Sequence, residues 1–184
     1  MTLRFPALSA SALMLVSALA ACAHTPVSYE ETALAAARAA DNVATPGTQE
    51  GWDAGNRAYL EWNGARRGWT TTESGLQYRR VGKAHADAPQ PAATDTVKVH
   101  YRGAFIDGRE FDSSYSRNEP ATFPLNRVIR GWTEGVALMH VGETFEFVIP
   151  SDLAYGSRWV GGDELPPNST LRFTVELLEI NPAA

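Results

Sequence analysis

Trp132 is the residue best suited to shape a binding site. It sits in the run Val128-Ile129-Arg130-Gly131-Trp132-Thr133-Glu134-Gly135-Val136-Ala137-Leu138-Met139, after a β-branched pair and a turn-forming glycine. Trp132, Val136 and Met139 recur at i, i+4 and i+7, the spacing of one helical face. A large flat ring at the first turn of a buried helix either fills core or floors a pocket for an apolar ligand. Other constellations offer less chemistry. His24, His85, His100 and His140 show neither HxxxH spacing nor a CxxC partner, so they do not read as a metal set. Asp107 and Asp112 suggest a hydrolytic carboxylate pair, but no sugar-binding pattern accompanies them. Ser113 and Ser114 lack an adjacent base motif. Gly161-Gly162 is not followed by the Lys and Ser/Thr of a phosphate loop. No metal and no cofactor are expected.

The sequence around Trp132 sharpens the choice. VHYRG (99–103), DGREFDSSY (107–115), VIRGW (128–132), AYG (154–156) and LPPNSTLRFTVELLEI (165–180) follow one another in register. In this order and spacing they resemble the FKBP-type peptidyl-prolyl cis-trans isomerases, over residues 74–180. TTxSGLQY at residues 71–78 is similar to the entry of the bacterial members that carry an N-terminal arm, the lipoprotein and periplasmic subfamily.

The resemblance implies a pocket. Tyr101, Phe111, Phe123, Trp132, Tyr155 and Phe173 match its aromatic lining, Val128 and Ile129 its aliphatic wall, and Leu165 the residue closing its edge. Asp112 matches a carboxylate at the pocket wall, while the Ile129 amide and the Tyr155 hydroxyl match the groups that bind substrate or inhibitor carbonyls. The catalytic set implied is Tyr101, Phe111, Asp112 and Tyr155. The substrate-binding set is Phe123, Val128, Ile129, Trp132, Leu165 and Phe173. For Phe173 and Trp132 part of the role is core filling in any case. Two departures, Ala121 for a common aromatic and Leu153 for a common tyrosine, are expected to thin the rim and to affect affinity for peptides and macrolide inhibitors.

The implied reaction is rotation about X-Pro bonds of unfolded exported proteins. The barrier, about 18–20 kcal/mol, comes from C–N resonance. At X-Pro both isomers are populated and exchange in roughly tens to hundreds of seconds. The twisted transition state has a less polar carbonyl than the planar amide, so a dry aromatic pocket favours it. Oriented hydrogen bonds hold the proline while the preceding peptide turns. No proton transfer or covalent intermediate is needed. The alternative is a non-catalytic envelope chaperone that captures unfolded segments in the same groove.

Such a pocket needs strands to carry it. Residues 96–105 alternate, with Val97, Val99 and Tyr101 on one face and Lys98, His100 and Arg102 on the other. Asp107-Gly108 signals a hairpin turn. Residues 144–149 bring Phe145, Phe147 and Ile149 together, and residues 171–177 do the same for Leu171, Phe173, Val175 and Leu177. Residues 76–81 form another alternating strand, and residues 84–95 a Pro/Ala loop. With one internal helix over 131–139, the pattern predicts an α+β fold: a curved antiparallel sheet wrapped around one short helix, with a short helical N-terminal extension.

The 184 residues allow one domain plus an appendage, and 44% hydrophobic with 20% charged residues is ordinary for a globular chain. A net charge of −5 and a pI near 5.4 argue against nucleic acid as a partner. Residues 1–21, with Arg4 and an apolar run, read as a secretory signal too short and Ala-rich for a stable span. They end Leu19-Ala20-Ala21-Cys22, which resembles a bacterial lipobox, so Cys22 is the expected lipidation site. Ala23 in place of the Asp of retained lipoproteins points to the outer membrane, facing the periplasm. As the sole cysteine, Cys22 leaves no intramolecular disulfide. Residues 22–73 are expected to form a tether and helical extension before a domain at 74–184. Ser28 and Glu31 form a capping box before the Ala-rich run 32–40, and a second helix is expected over 50–65. On it Trp52, Tyr59 and Trp62 share a side expected to pack on the domain. The extension is too short for the dimerisation arm of longer relatives, so a monomer is expected.

Overall fold

The computed structural model describes residues 48–161 and 165–183. The signal-like segment, Cys22, the tether and the Ala-rich run lie outside the described residues. Order along the chain is α1 (Gln49–Gly64), β1 (Thr70–Thr71), β2 (Gln77–Val81), β3 (Thr96–Phe105), β4 (Glu110–Ser113), β5 (Ala121–Pro124), α2 (Arg130–Val136), β6 (Thr144–Ile149) and β7 (Leu171–Ile180). Single 3-10 turns at Leu125–Arg127 and Ser151–Leu153 precede α2 and follow β6. The sheet is antiparallel in every pairing, in the order β1-β2-β6-β7-β3-β4, with β5 pairing the first half of β3 and β4 the second.

The alternation in β3 and β6 puts Val97, Val99, Tyr101, Phe145, Phe147 and Ile149 on the side facing α2, where they meet Trp132, Val136 and Met139 in one core. Helix α2 lies unusually close to β6. A Cβ on Gly131 would come 2.4 Å from Ile149 Cγ2, and one on Gly135 would come 2.6 Å from Phe147 Cε1. The two glycines, i and i+4 on one face, let the helix backbone settle onto the strand. Thr133 ties the first turn of α2 down by donating its hydroxyl to the Leu125 carbonyl at 2.5 Å.

Several elements differ from the sequence reading. The regular helix stops at Val136, and Met139 is buried from a tighter turn in which its amide reaches the Val136 carbonyl. Strand β7 runs on to Ile180, pairing with β3 along its whole length. The short strands β1, β4 and β5 are too brief to leave a periodic signal. Leu153 lies in the core at 6% exposure rather than at a rim, and Ala121, on β5, is partly buried against that core.

The far face of the sheet is covered by α1, capped by Thr48, whose hydroxyl accepts from Gly51 N at 3.2 Å. Its inward residues are Gly51, Gly55, Asn56, Tyr59 and Asn63. Tyr59 joins Ile106 and Val148 in a small second cluster, flanked by Trp62 and Trp69. Trp52 meets Phe105 edge-on at 5.9 Å and donates its indole N–H to Ser169 Oγ. The aromatics of this helix therefore pack on the sheet, as expected. The buried amides were not expected. Asn56 accepts from the Thr170 amide at 2.7 Å, and Asn63 donates to Gln77 Oε1 at 2.8 Å while Gln77 donates to the Leu60 carbonyl at 2.9 Å.

Candidate functional site

On the α2 side the sheet leaves a groove of about 560 Å³. Each of its walls is set by an identifiable piece of the fold. Strand β3 presents Tyr101, and β4 turns Phe111 and Asp112 toward it. Ser114 holds this corner, accepting from the Tyr101 amide at 2.8 Å while its own amide donates to the Tyr101 carbonyl at 2.9 Å. Gly103 follows on β3, and a Cβ there would sit 2.8 Å from the rings of both Phe111 and Phe173. A glycine in mid-strand is what lets those two rings seat over the backbone.

Trp132 forms the floor. Tyr101, Phe123 and Phe173 stand edge-on to it, with centroids at 5.3, 5.7 and 5.3 Å and interplanar angles of 85°, 88° and 84°. Phe111 meets Phe173 edge-on at 5.7 Å. Edge-to-face geometry is the favoured arrangement for aromatic pairs, so the box is held by the rings' own packing. The indole N–H of Trp132 is buried without an acceptor among the described residues.

Val128 and Ile129 form the aliphatic wall, in extended backbone just ahead of α2. The Ile129 carbonyl accepts from the amides of Trp132 and Thr133, whereas the Ile129 amide has no acceptor among the described residues. Tyr155, after the 3-10 turn, is half-buried and lines the opposite wall, and its hydroxyl likewise has no hydrogen-bond partner there. Burial raises its pKa, and the Asp112 charge adds to that.

Asp112 is not an isolated carboxylate. Tyr101 donates its hydroxyl to one oxygen at 2.5 Å, Arg117 donates to the other at 2.5 Å, and a second Arg117 N–H reaches the Tyr101 hydroxyl at 2.8 Å. Burial alone would raise the Asp112 pKa, but the hydrogen bonds from Tyr101 and Arg117 with the guanidinium charge outweigh it and hold it below the usual carboxylate range. Burial and the hydrogen bond to Asp112 raise that of Tyr101. The triangle fixes the phenol and the carboxylate in ionisation states that do not change near neutrality.

Nine of the ten pocket residues implied by the sequence therefore line one groove: Tyr101, Phe111, Asp112, Phe123, Val128, Ile129, Trp132, Tyr155 and Phe173. Leu165 is not among these lining residues; it is buried in the main core and bridges Val160. The sequence reading missed Arg117, whose only signal was a cation five residues after Asp112 in a polar loop, and missed the arginines at the groove mouth, Arg127, Arg130 and Arg158. Among the described residues no three His, Cys, Asp or Glu side chains gather as a metal set, and no helix is long and apolar enough to cross a membrane.

Residues 88–178 match the family described as FKBP-type peptidyl-prolyl cis-trans isomerase. A crystal structure of a peptidyl-prolyl cis-trans isomerase from Pseudomonas syringae pv. tomato superposes with a TM-score of 0.66 at 31% identity, covering 75% of this chain and 99% of that one. This chain belongs to the FKBP-type peptidyl-prolyl cis-trans isomerase family. FkpA of Aeromonas hydrophila is 57% identical to this FKBP-type chain over 127 residues, 68% of this chain and 46% of FkpA. The outer membrane protein MIP of Legionella longbeachae is 43% identical over 127 residues, 69% of this chain and 53% of that protein. The FKBP-type chain thus spans about half the length of these curated relatives.

Proposed function

We propose that the chain accelerates cis-trans isomerisation of X-Pro bonds in unfolded exported proteins. The observation that carries this is the pairing of an aromatic box with two donors left unused by the fold, the Ile129 amide and the Tyr155 hydroxyl. A proline ring over Trp132 leaves water, and the two donors hold carbonyls on either side of it. The peptide between them is then free to twist in a dry cavity that favours the less polar transition state. Asp112, neutralised by Arg117 and Tyr101, supplies a fixed dipole at the wall rather than a proton. No residue in the groove is poised for covalent attack, so the isomerase reading fits the site better than hydrolysis does. The test is the exchange rate of a proline-containing peptide with and without the protein, with a macrolide of the kind that fills such pockets as competitor. Acceleration abolished by the macrolide supports the reading, and tight peptide binding with no acceleration supports a non-catalytic chaperone instead.

The chain is proposed to work in the bacterial envelope, lipid-anchored at Cys22, facing the periplasm from the outer membrane. The lipobox-like Leu19-Ala20-Ala21-Cys22 supports this, as does the likeness to the outer membrane protein MIP of Legionella longbeachae. Several acyl chains hold a protein stably where one does not. Cys22→Ser is expected to abolish membrane fractionation and normal processing, and a variant still processed and membrane-bound excludes the anchor. A monomer is proposed because Trp52 and Tyr59 are already taken up against the sheet.

A further inference from the structure

The charged residues at the groove mouth have no part in the rotation just described. The chain carries a net charge of −5, yet the groove is locally the opposite. Its charged lining residues are Asp112, Arg127, Arg130 and Arg158, and the single carboxylate is already engaged by Arg117. Among the described residues three guanidiniums therefore line this opening against one carboxylate that Arg117 already pairs. Arg127, Arg130 and Arg158 are all exposed. Arg130 donates to the Asp152 carbonyl, and Arg158 donates weakly to the Tyr155 carbonyl at 3.4 Å. The Arg127 side chain forms no hydrogen bond or ion pair with the described residues. The placement is specific. Arg127 directly precedes the Val128-Ile129 wall, whose amide is one proposed anchor, and Arg158 lies three residues after Tyr155, the other anchor. Each end of the proposed substrate path carries a cation at its mouth.

We propose that this groove selects prolines flanked by acidic residues, with Arg127 reading the flank at the Ile129 end and Arg158 the flank at the Tyr155 end. The inference rests on the isomerase reading and adds a substrate class to it. An acidic flank meets a local positive field, whereas a basic flank meets like charge before the proline is seated. Because the protein as a whole is acidic, its long-range field repels such substrates, so a preference for them isolates the local effect.

The experiment compares proline peptides with Glu, Gln or Lys placed just before or just after the X-Pro pair. Both binding, by anisotropy of labelled peptides, and isomerisation, as kcat/KM, are measured at low salt and at 1 M salt. The order expected at low salt is Glu over Gln over Lys, with Glu ahead of Gln by about twofold to fivefold per flank, the scale of one exposed ion pair. At 1 M salt, where screening acts over about 3 Å, the ratio falls toward one. Arg127→Gln removes the preference at one flank and Arg158→Gln at the other. Equal values for Glu and Gln peptides at low salt overturn the proposal, as does a Glu-to-Gln ratio unchanged in the double variant. If no peptide is isomerised yet Glu peptides bind more tightly, the charge reading stands and the isomerase reading falls.

Discussion

The two faces of the sheet are built on different principles. The α2 face is an apolar interior continuous with a groove: Val97, Val99, Phe145, Phe147, Ile149 and Trp132 interlock, with the Trp132 indole N–H buried in the floor and Asp112 on the wall. The α1 face has a small apolar cluster around Tyr59, and its helix is held by side-chain amides, Asn56 on the Thr170 backbone and Asn63 on Gln77. Around these, Arg66 lies over Trp62 at 4.5 Å and Arg79 over Trp69 at 5.2 Å, while Arg79 also pairs with Glu146. The lesson is a division of labour. The first face makes the dry box that the chemistry requires, and its packing energy is inseparable from the site. The second fixes where a helix docks, through directional bonds that tolerate no shift, and touches the reaction only through stability.

Mutations separate the faces. Trp132→Ala removes a buried ring from both core and groove floor, so it is expected to cost about 3–5 kcal/mol of stability and to abolish isomerisation in whatever remains folded. Urea unfolding followed by the peptide assay checks both. Asn63→Ala on the other face leaves the buried Gln77 Oε1 without its donor and should cost about 1–3 kcal/mol. Its kcat/KM per folded molecule should match wild type. A drop in turnover at full folding would show that the α1 face reaches the site after all. Tyr155→Phe keeps the ring and loses one hydroxyl. Stability should hold, and kcat/KM should fall by about fivefold, equivalent to roughly 1 kcal/mol from one neutral hydrogen bond.

The same contrast explains what the sequence could tell. Strands β3 and β6 were legible to their ends because each alternates against a single apolar core, and Trp132, Val136 and Met139 announced the helix that faces them. The pocket residues were legible through family resemblance, since ring types at those spacings fit core and pocket equally well. Leu165 is buried in the core rather than in the groove lining, and an aliphatic residue looks the same in sequence in either place. The α1 docking was only half legible: Trp52 and Tyr59 asked for a partner, whereas nothing in the sequence marks Asn56 and Asn63, whose partners lie 114 and 14 positions away. Arg117 was hidden for a related reason, because its meaning depends on a strand and a loop brought together by the β3–β4 hairpin.

The central claim is that the groove works by desolvation and positioning, with no proton moved. The groups that line it shift away from neutrality in both directions. Asp112 lies below the usual carboxylate range, and Tyr101 and Tyr155 lie above the usual phenol range. The stability that Asp112 contributes is therefore complete above its unfolded pKa of about 4 and is lost only as pH falls through its lower folded value. The stability that the tyrosines contribute is present below their unfolded pKa of about 10 and is lost as pH rises through their higher folded values. The decisive measurement is the pH dependence of kcat/KM for one uncharged proline peptide, with folding monitored at each point. A flat profile between roughly pH 6 and pH 8, the window in which a histidine base titrates, is the predicted result. A steep change inside that window with the fold intact contradicts the account and assigns a proton transfer to the reaction.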